Sequence, residues 1–314
     1  MPPFAALLAA WLINACWPLI GQDGLRFFSV PLFFHAGMAL GLAAMLPWLC
    51  RAGRWRRILS REVALPLGLM GLLSCTASII YLEALRYTSP ANAGVMAQVE
   101  VLYSAVLAAV LLGERIGAPQ VLASSLVVAG TGLILVMDLG SWRWKGDLMI
   151  LLTPWMYQVS HVVAKRLPKD LDPLLITGAR LFYGCLVMLP LTLWSLAHGG
   201  RWSWSGEALR LLTVQGLFMS TLSLVMWYTA IRRLDLAKAT AFLLSYPALT
   251  MLLSWALGRE RIAPLQVAGL AVTMAGALWL SRITLAAGQG KPADCPESAA
   301  RPGPPERSAA SGQD

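Results

Sequence analysis

Two stretches of this chain decide its fold. Residues 81–130 read YLEALRYTSPANAGVMAQVEVLYSAVLAAVLLGERIGAPQVLASSLVVAG, and residues 227–276 read WYTAIRRLDLAKATAFLLSYPALTMLLSWALGRERIAPLQVAGLAVTMAG. The two align without a gap at an offset of 146 residues, and both carry Glu-Arg-Ile followed by Gln-Val. Shared hydrophobicity alone would match Ala with Ala and Leu with Leu, but it would not align these polar turns. The sequence therefore contains an internal repeat.

The composition around this repeat is that of a membrane protein. The chain has 314 residues, of which 57% are hydrophobic and only 13% are charged, whereas soluble domains carry about 25% charge. Apolar stretches of about 20 residues predict transmembrane helices. We place ten such spans, numbered one to ten, at 4–20, 29–49, 63–84, 91–112, 118–137, 147–165, 174–196, 208–231, 237–258 and 264–282. This pattern excludes a disordered chain and argues against a soluble enzyme.

The charges predict which loops face the cytoplasm. Lys and Arg accumulate on cytoplasmic loops, and the loop at 50–62 holds five Arg. Placing this loop inside puts sixteen Lys and Arg on the cytoplasmic side and eight on the other. We therefore expect both termini in the cytoplasm of a bacterial-type inner membrane. The formal charge of +9 then reflects topology, so we expect a lipid bilayer and no nucleic acid as partner.

Topology and repeat together predict an inverted architecture. Each repeat has five spans, and because five is odd the second half enters from the opposite side. Inverted repeats are typical of secondary transporters, whose substrate sites lie between the halves near the midplane. We predict a first repeat at 1–137, a periplasmic linker at 138–146, a second repeat at 147–283 and a disordered cytoplasmic tail at 284–314, which is rich in Pro, Ala, Gly and Ser.

The paired segments resemble the two EamA repeats of the drug/metabolite transporter superfamily. The resemblance covers about residues 4–282 and rests on S-P-A-N-A … L-G-E-R-I … Q-V … G and L-D-L-A-K-A … G-R-E-R-I … Q-V … G. It implies a ten-helix carrier of small metabolites, often an exporter of amino acids or related compounds; some relatives move metallophores or toxic cations. The Arg usual in the second span of a repeat occurs in the second half as Arg180, and His35-Ala36-Gly37 occupies the aligned region of the first half.

Glu100 is the leading candidate for substrate binding and proton coupling. It lies about midway along span four, where an ionisable side chain is costly and indicates function. Its repeat partner is Tyr246, followed by Pro247, which can kink span nine. The pseudo-two-fold axis would place Glu100 and Tyr246 on opposite walls of one cavity. The alternative is a neutral Glu100 bonded to a neighbouring helix.

Polar and aromatic side chains on spans one and six are further candidates for the cavity wall. On span six these are Trp155, Gln158 and His161, and on span one they are Asn14 and Trp17. An offset near 144 aligns the two groups, and aromatic rings mixed with amides suit an amphiphilic solute. The alternative is that these side chains serve helix packing and anchoring at the membrane interface. For His161, a buried structural role and a role as proton carrier are equally consistent with the sequence.

Three charged residues are assigned structural roles. Arg180 lies in the first turns of span seven, where it pairs structurally, reaches the membrane interface or neutralises a carboxylate. Glu114 and Glu260 end helices in the family motif, and the Arg that follows each one suggests local pairing.

The favoured function is secondary transport by alternating access. The substrate is a small amino-acid-like or related amphiphilic compound, or a metallophore, and Glu100 offers coupling to protons. The sequence has five Cys without a CxxC motif, and it lacks GxSxG, P-loop and HExxH motifs; we therefore expect no metal, no cofactor, no disulfide framework and no enzymatic activity. Two alternatives remain, a polytopic enzyme such as a lipid-linked transferase and a non-transporting sensor or assembly factor. The oligomeric state is a monomer or a homodimer.

Overall fold

The computed structural model is a helical bundle, and it describes residues 2–103, 106–107, 117–138, 141–168, 170–233, 243 and 245–289. Those residues contain helices, turns and loops but no strand. Six helices among them are long and apolar enough to cross a membrane. They form spans one, two, three, five, seven and eight, with bounds Pro3–Gly24, Val30–Leu49, Arg61–Ala84, Ala118–Asp138, Pro173–Ala197 and Gly206–Ile231. Span eight is π-helical over Val214–Leu222.

The remaining spans are interrupted or lie partly outside the described residues. Span four begins as Pro90–Ala97, and helix resumes at Glu100 after a turn at 98–99. The described helix of span nine is Tyr246–Ala256, and that of span ten is Pro264–Gln289. A short helix, Arg54–Ile58, lies in the loop between spans two and three.

Span six is two helices, Arg143–Leu151 and Pro154–Arg166, so the single helix predicted at 147–165 is wrong. The physical reason is Pro154. Proline has no N–H to continue the helical hydrogen bonds, and its ring clashes with the carbonyl of the residue four positions before it. Thr153, directly before Pro154, keeps helical backbone angles, and its hydroxyl donates to the carbonyl of Ile150 at 2.9 Å.

The predicted disordered tail begins too early. Helix continues through residues 284–289, because the Leu-Ala-Ala sequence there favours helix. The rest of the predicted tail, at 290–314, lies outside the described residues.

Contacts between spans follow the symmetry that the repeat predicts. Span two packs on seven, four on nine and five on ten, so each of these pairs joins two equivalent helices. Span three packs on six, and span eight packs on one, which is the same contact after exchange of the two halves. A two-fold relation between the halves therefore organises the bundle.

The pair formed by spans five and ten shows this symmetry at atomic detail. A Cβ added to Gly130 would lie 2.6 Å from the backbone N of Thr273, and one added to Gly276 would lie 2.8 Å from the backbone N of Val127. The offset of 146 relates Gly130 to Gly276 and Val127 to Thr273. The two helices approach so closely because glycine stands at both crossing points.

Loops predicted on the non-cytoplasmic side contact one another. Arg259, after span nine, makes a bidentate ion pair with Asp23, in the last turn of span one, with both N–O distances 2.5 Å. The hydrogen bonds that Arg259 donates to the Asp23 carboxylate raise the pKa of the guanidinium. Thr88, between spans three and four, donates to the buried Asp147 at the start of span six at 2.5 Å.

Loops predicted on the cytoplasmic side do the same. Arg57 donates to Asp170 at 2.6 Å and to Glu62 at 2.7 Å. The guanidinium lowers the pKa of the exposed Asp170 carboxyl below its ordinary range. Arg232, after span eight, donates to the carbonyl of Leu167 after span six at 3.0 Å. Both sets of contacts agree with the predicted grouping of the loops into two sides.

Candidate substrate cavity

A cavity of about 160 Å³ lies in the middle of the bundle. Eight spans contribute to its wall, from span one to span four in the first half and from span six to span nine in the second. Most of the lining is apolar or aromatic, with a few polar groups between. This is the composition expected of a site for a small organic molecule.

Glu100 lines the cavity at the point where span four resumes after its break. Gln158 Nε2, from span six of the other repeat, donates to Glu100 Oε1 at 2.6 Å. His161 Nδ1 lies 3.9 Å from the same oxygen, beyond hydrogen-bond distance, and is buried. Glu100 is thus oriented by a neutral amide, and no Lys or Arg of the described chain forms an ion pair with it.

Tyr246 lines the same cavity from span nine. Helix begins at Tyr246, as it resumes at Glu100 in span four, so the two repeats share this feature at equivalent positions. Pro247 stands in the first turn of this helix and contacts the position of Gly94, where an added Cβ would lie 3.3 Å from the proline ring. Pro247 thus lies in the first turn of a helix that begins within span nine, where its missing N–H costs nothing.

Span one brings Asn14 and Trp17 to the cavity wall. Asn14 Nδ2 donates to Ser223 Oγ of span eight at 3.3 Å, which links the two repeats. Trp17 stacks on Tyr81 of span three with ring centroids 4.5 Å apart. An aromatic surface and an amide therefore stand side by side in this part of the cavity.

Trp155 lies outside the cavity and is 39% exposed. Residues at i, i+3 and i+6 of a helix spread over about 120° of its circumference. Tyr157 and His161 face the cavity, and Gln158 is buried against Glu100. Trp155, at the far edge of that arc, points out of the bundle.

Arg180 is buried and lines the cavity. Its Nη1 donates to the hydroxyl of Tyr228 in span eight at 2.8 Å. It therefore does not reach the membrane interface, which was one of its predicted roles, and its structural partner is a phenol.

Glu260 binds elsewhere than predicted. Its Oε1 accepts from Ser254 Oγ at 2.6 Å and from the backbone N of Ala91 at 3.2 Å, in the first turn of span four. A carboxylate is stabilised at the amino end of a helix by the exposed backbone N–H groups, so Glu260 links the two repeats instead of pairing with Arg261. Glu114, its repeat partner, lies outside the described residues.

Sequence reasoning missed Tyr81 and Trp227. Both line the cavity, both are almost fully buried, and neither the Tyr81 hydroxyl nor Trp227 Nε1 has a hydrogen-bond partner in the described part of the chain. The signal that could have found them is the repeat itself, because an offset of 146 places Tyr81 on Trp227. Two large aromatic residues with polar groups at equivalent positions indicate the two walls of one site.

Comparison with known proteins identifies the family. Residues 2–136 and 144–282 each match the EamA-like transporter family. The chain belongs to this family. As a member, it is a multi-pass membrane transporter and not an enzyme.

Three individual proteins are similar to this chain at 20–28% sequence identity. The chain is 27% identical over 229 residues to the uncharacterized transporter YyaM of Bacillus subtilis (strain 168), covering 69% of this chain and 72% of that protein. It is 28% identical over 233 residues to a probable terminal-alkyne amino-acid exporter of Streptantibioticus cattleyicolor, covering 73% and 77%. A known crystal structure superposes with a TM-score of 0.62 at 20% identity, covering 92% of this chain and 99% of that one, which shows a shared fold.

Proposed function

We propose that this transporter exports a small amino-acid-like metabolite by alternating access and that Glu100 couples export to protons. The observation that carries the proposal is the position of Glu100, in a central cavity built by both repeats and beside a break in span four. One relative is named a probable amino-acid exporter, which supports the substrate class and the direction. The charge distribution supports an inner-membrane location with both termini in the cytoplasm.

The coupling step follows from the cost of charge at membrane depth. A carboxylate there is disfavoured unless it is paired, hydrated or protonated. Glu100 has a neutral donor, Gln158, but no ion pair with Lys or Arg among the described residues. In the empty carrier the carboxyl therefore holds a proton. The ammonium group of an arriving solute favours release of that proton, and this exchange ties solute movement to the proton gradient.

The test is flux in liposomes that contain the purified full-length protein. The vesicles hold a defined mixture of the twenty standard L-amino acids and L-propargylglycine, an amino acid with a terminal alkyne, and efflux after a pH jump is measured by mass spectrometry. We expect faster efflux of at least one compound than from protein-free vesicles. Glu100→Gln keeps the shape but cannot titrate, so it should lose the pH stimulation and retain slow exchange.

Glu83→Gln is the matched control. Glu83 pairs with Arg86 at 2.9 Å near the end of span three, away from the cavity, so its variant should behave as the wild type. Unchanged pH-dependent flux in Glu100→Gln would overturn the coupling role. Absence of efflux for every compound in the wild type would overturn the substrate class.

A further inference from the structure

Arg180 is a buried cation without a counter-ion in the part of the chain that the structure describes. Arg180 is 9% exposed, and within the described residues its guanidinium donates a hydrogen bond to the neutral hydroxyl of Tyr228 at 2.8 Å. A guanidinium is always charged and carries five N–H donors. Burying such a charge is costly unless it is paired. Because Arg180 lines the cavity, its other donors are placed to meet an anion there.

Trp227 adds a second unused donor. It is 4% exposed, lines the same cavity and precedes Tyr228 in the chain. Its Nε1 is buried and has no hydrogen-bond partner among the described residues. Indole N–H and guanidinium groups donate but never accept. The group that satisfies both must therefore be an acceptor.

The acid of the cavity does not supply that acceptor. Glu100 accepts from Gln158 at 2.6 Å and lies 3.9 Å from His161, and it forms no ion pair with Arg180. The cavity thus contains a carboxyl group and a guanidinium, each held by a neutral side chain. An arriving solute meets both.

We infer that Arg180 binds the carboxylate of the transported solute, that Trp227 donates a further hydrogen bond to it, and that Tyr228 positions the guanidinium. The inference rests on the proposed function and goes beyond it by assigning the subsite for the acidic group of the substrate. Two carboxylate oxygens match the paired N–H groups of a guanidinium, and such charge-assisted bonds are among the strongest in proteins. The solute then carries its acidic group to Arg180 and its amine to Glu100.

The experiment compares each acid with its neutral amide. Liposomes with the full-length protein are loaded with L-phenylalanine and L-phenylalaninamide, L-leucine and L-leucinamide, or L-propargylglycine and its amide, and KM and kcat are measured for efflux. The wild type should prefer at least one acid over its amide. Arg180→Gln should lower kcat/KM for that acid roughly tenfold or more and leave the amide unchanged. Arg180→Lys, which keeps the charge but loses the planar fork, should recover part of the loss.

Two further variants separate binding from folding. Tyr228→Phe leaves Arg180 in place but removes its anchor, so the KM of the acid should rise several-fold with little change in kcat. Arg232→Gln is the control, because Arg232 donates to loop carbonyls outside the cavity, and it should keep the wild-type ratio of acid to amide. The sulfonic and phosphonic analogues of alanine are tested beside alanine, and a preference for either analogue would overturn a carboxylate site.

The outcomes also distinguish this inference from the proposed function. If the wild type moves acids and amides equally, or if Arg180→Gln and Tyr228→Phe both keep the preference for acids, the carboxylate subsite is wrong and amino-acid-like transport stands. If no acid and no amide moves in the wild type, both fall.

Discussion

Glu100 and Arg180 share one arrangement at the residue scale. Each ionisable group is oriented by a neutral partner: Gln158 of the opposite repeat for Glu100, and Tyr228 of the next span in the same repeat for Arg180. Neutral partners fix the geometry of a charged group without cancelling its charge. A cavity built in this way leaves the neutralisation to the solute, so an empty site is poised for binding.

Tyr246 provides a prediction at this scale. It lines the cavity, and its hydroxyl has no hydrogen bond within the described residues. Tyr246→Phe removes one hydrogen bond to the substrate, which is worth about 0.5–1.5 kcal/mol. We expect KM for efflux to rise about two- to twelvefold, with pH stimulation intact because Glu100 is unchanged. The measurement is concentration-dependent efflux at two pH gradients.

The control for Tyr246→Phe is Tyr103→Phe. The Tyr103 hydroxyl donates to the Leu151 carbonyl at 3.1 Å and does not line the cavity, so this variant should leave KM unchanged. An equal rise in KM for both variants would mean that hydroxyl loss acts through packing, and Tyr246 would not contact the substrate.

Sequence reasoning found some of these residues for clear physical reasons. Glu100 stands out because charge inside a span is rare, and Asn14 and Trp17 follow from their match to span six. Tyr81 and Trp227 were overlooked because large aromatic residues in an apolar helix are usually packing residues. Only the structure shows that their polar atoms are buried without a hydrogen-bond partner among the residues it describes.

At the scale of single helices, the arrangement of the spans depends on breaks within them and on close contacts at glycines. Spans four and nine each have a helix start in mid-span, at Glu100 and Tyr246, and transporters commonly place such starts at their binding sites. The break in span six could have been predicted from Pro154, which interrupts the helical hydrogen bonds. The break in span four has no proline or glycine at residues 98–99, so local sequence rules gave no warning of it.

The close contact between spans five and ten leads to a prediction about the stability of the protein. Gly130→Ala would force a methyl group to within 2.6 Å of the Thr273 backbone N. Overpacking of this kind typically costs about 1–3 kcal/mol, so the melting temperature of the detergent-solubilised protein should fall. Gly276→Ala should behave alike, because its added Cβ would lie 2.8 Å from the Ala123 carbonyl O on the facing helix.

Gly132→Ala is the matched control on the same helix. No atom lies within 4 Å of a Cβ added there. Alanine is favoured over glycine in a helix by about 0.5–1 kcal/mol, so this variant should keep or slightly raise the melting temperature. If Gly130→Ala were as stable as Gly132→Ala, the close approach of spans five and ten would be wrong.

At the scale of the whole molecule, one repeat explains most of the architecture. The offset of 146 predicts which helices are equivalent, and the structure agrees, because the packing of span three on span six recurs as the packing of span eight on span one. The offset says nothing about which side is the cytoplasm. That orientation depends on the membrane potential and on charge recognition during insertion, and it must be inferred from Lys and Arg alone.

The predicted orientation leads to a test with reporters at two sites. Sixteen Lys and Arg on one side against eight on the other favour both termini in the cytoplasm. A fluorescent protein fused after Gln289 should therefore be bright, and alkaline phosphatase at the same site should be inactive, because it requires disulfides that form outside the cytoplasm. Alkaline phosphatase inserted near Ser141, between spans five and six, should be active.

Neutralising the loop at 50–62 tests the cause. Replacing its five Arg with Gln reduces the side counted as cytoplasmic from sixteen Lys and Arg to eleven, so a fraction of the molecules should insert with the reporters reversed. Arg201→Gln and Arg210→Gln, which remove charge from the opposite side, should leave the signals unchanged. In the unmodified chain, active phosphatase after Gln289 together with inactive phosphatase near Ser141 would show that the protein is inserted in the opposite orientation to the one predicted. The direction of transport would not change with it, because a carrier that exchanges solute for protons is driven by the same proton gradient whichever way it is inserted.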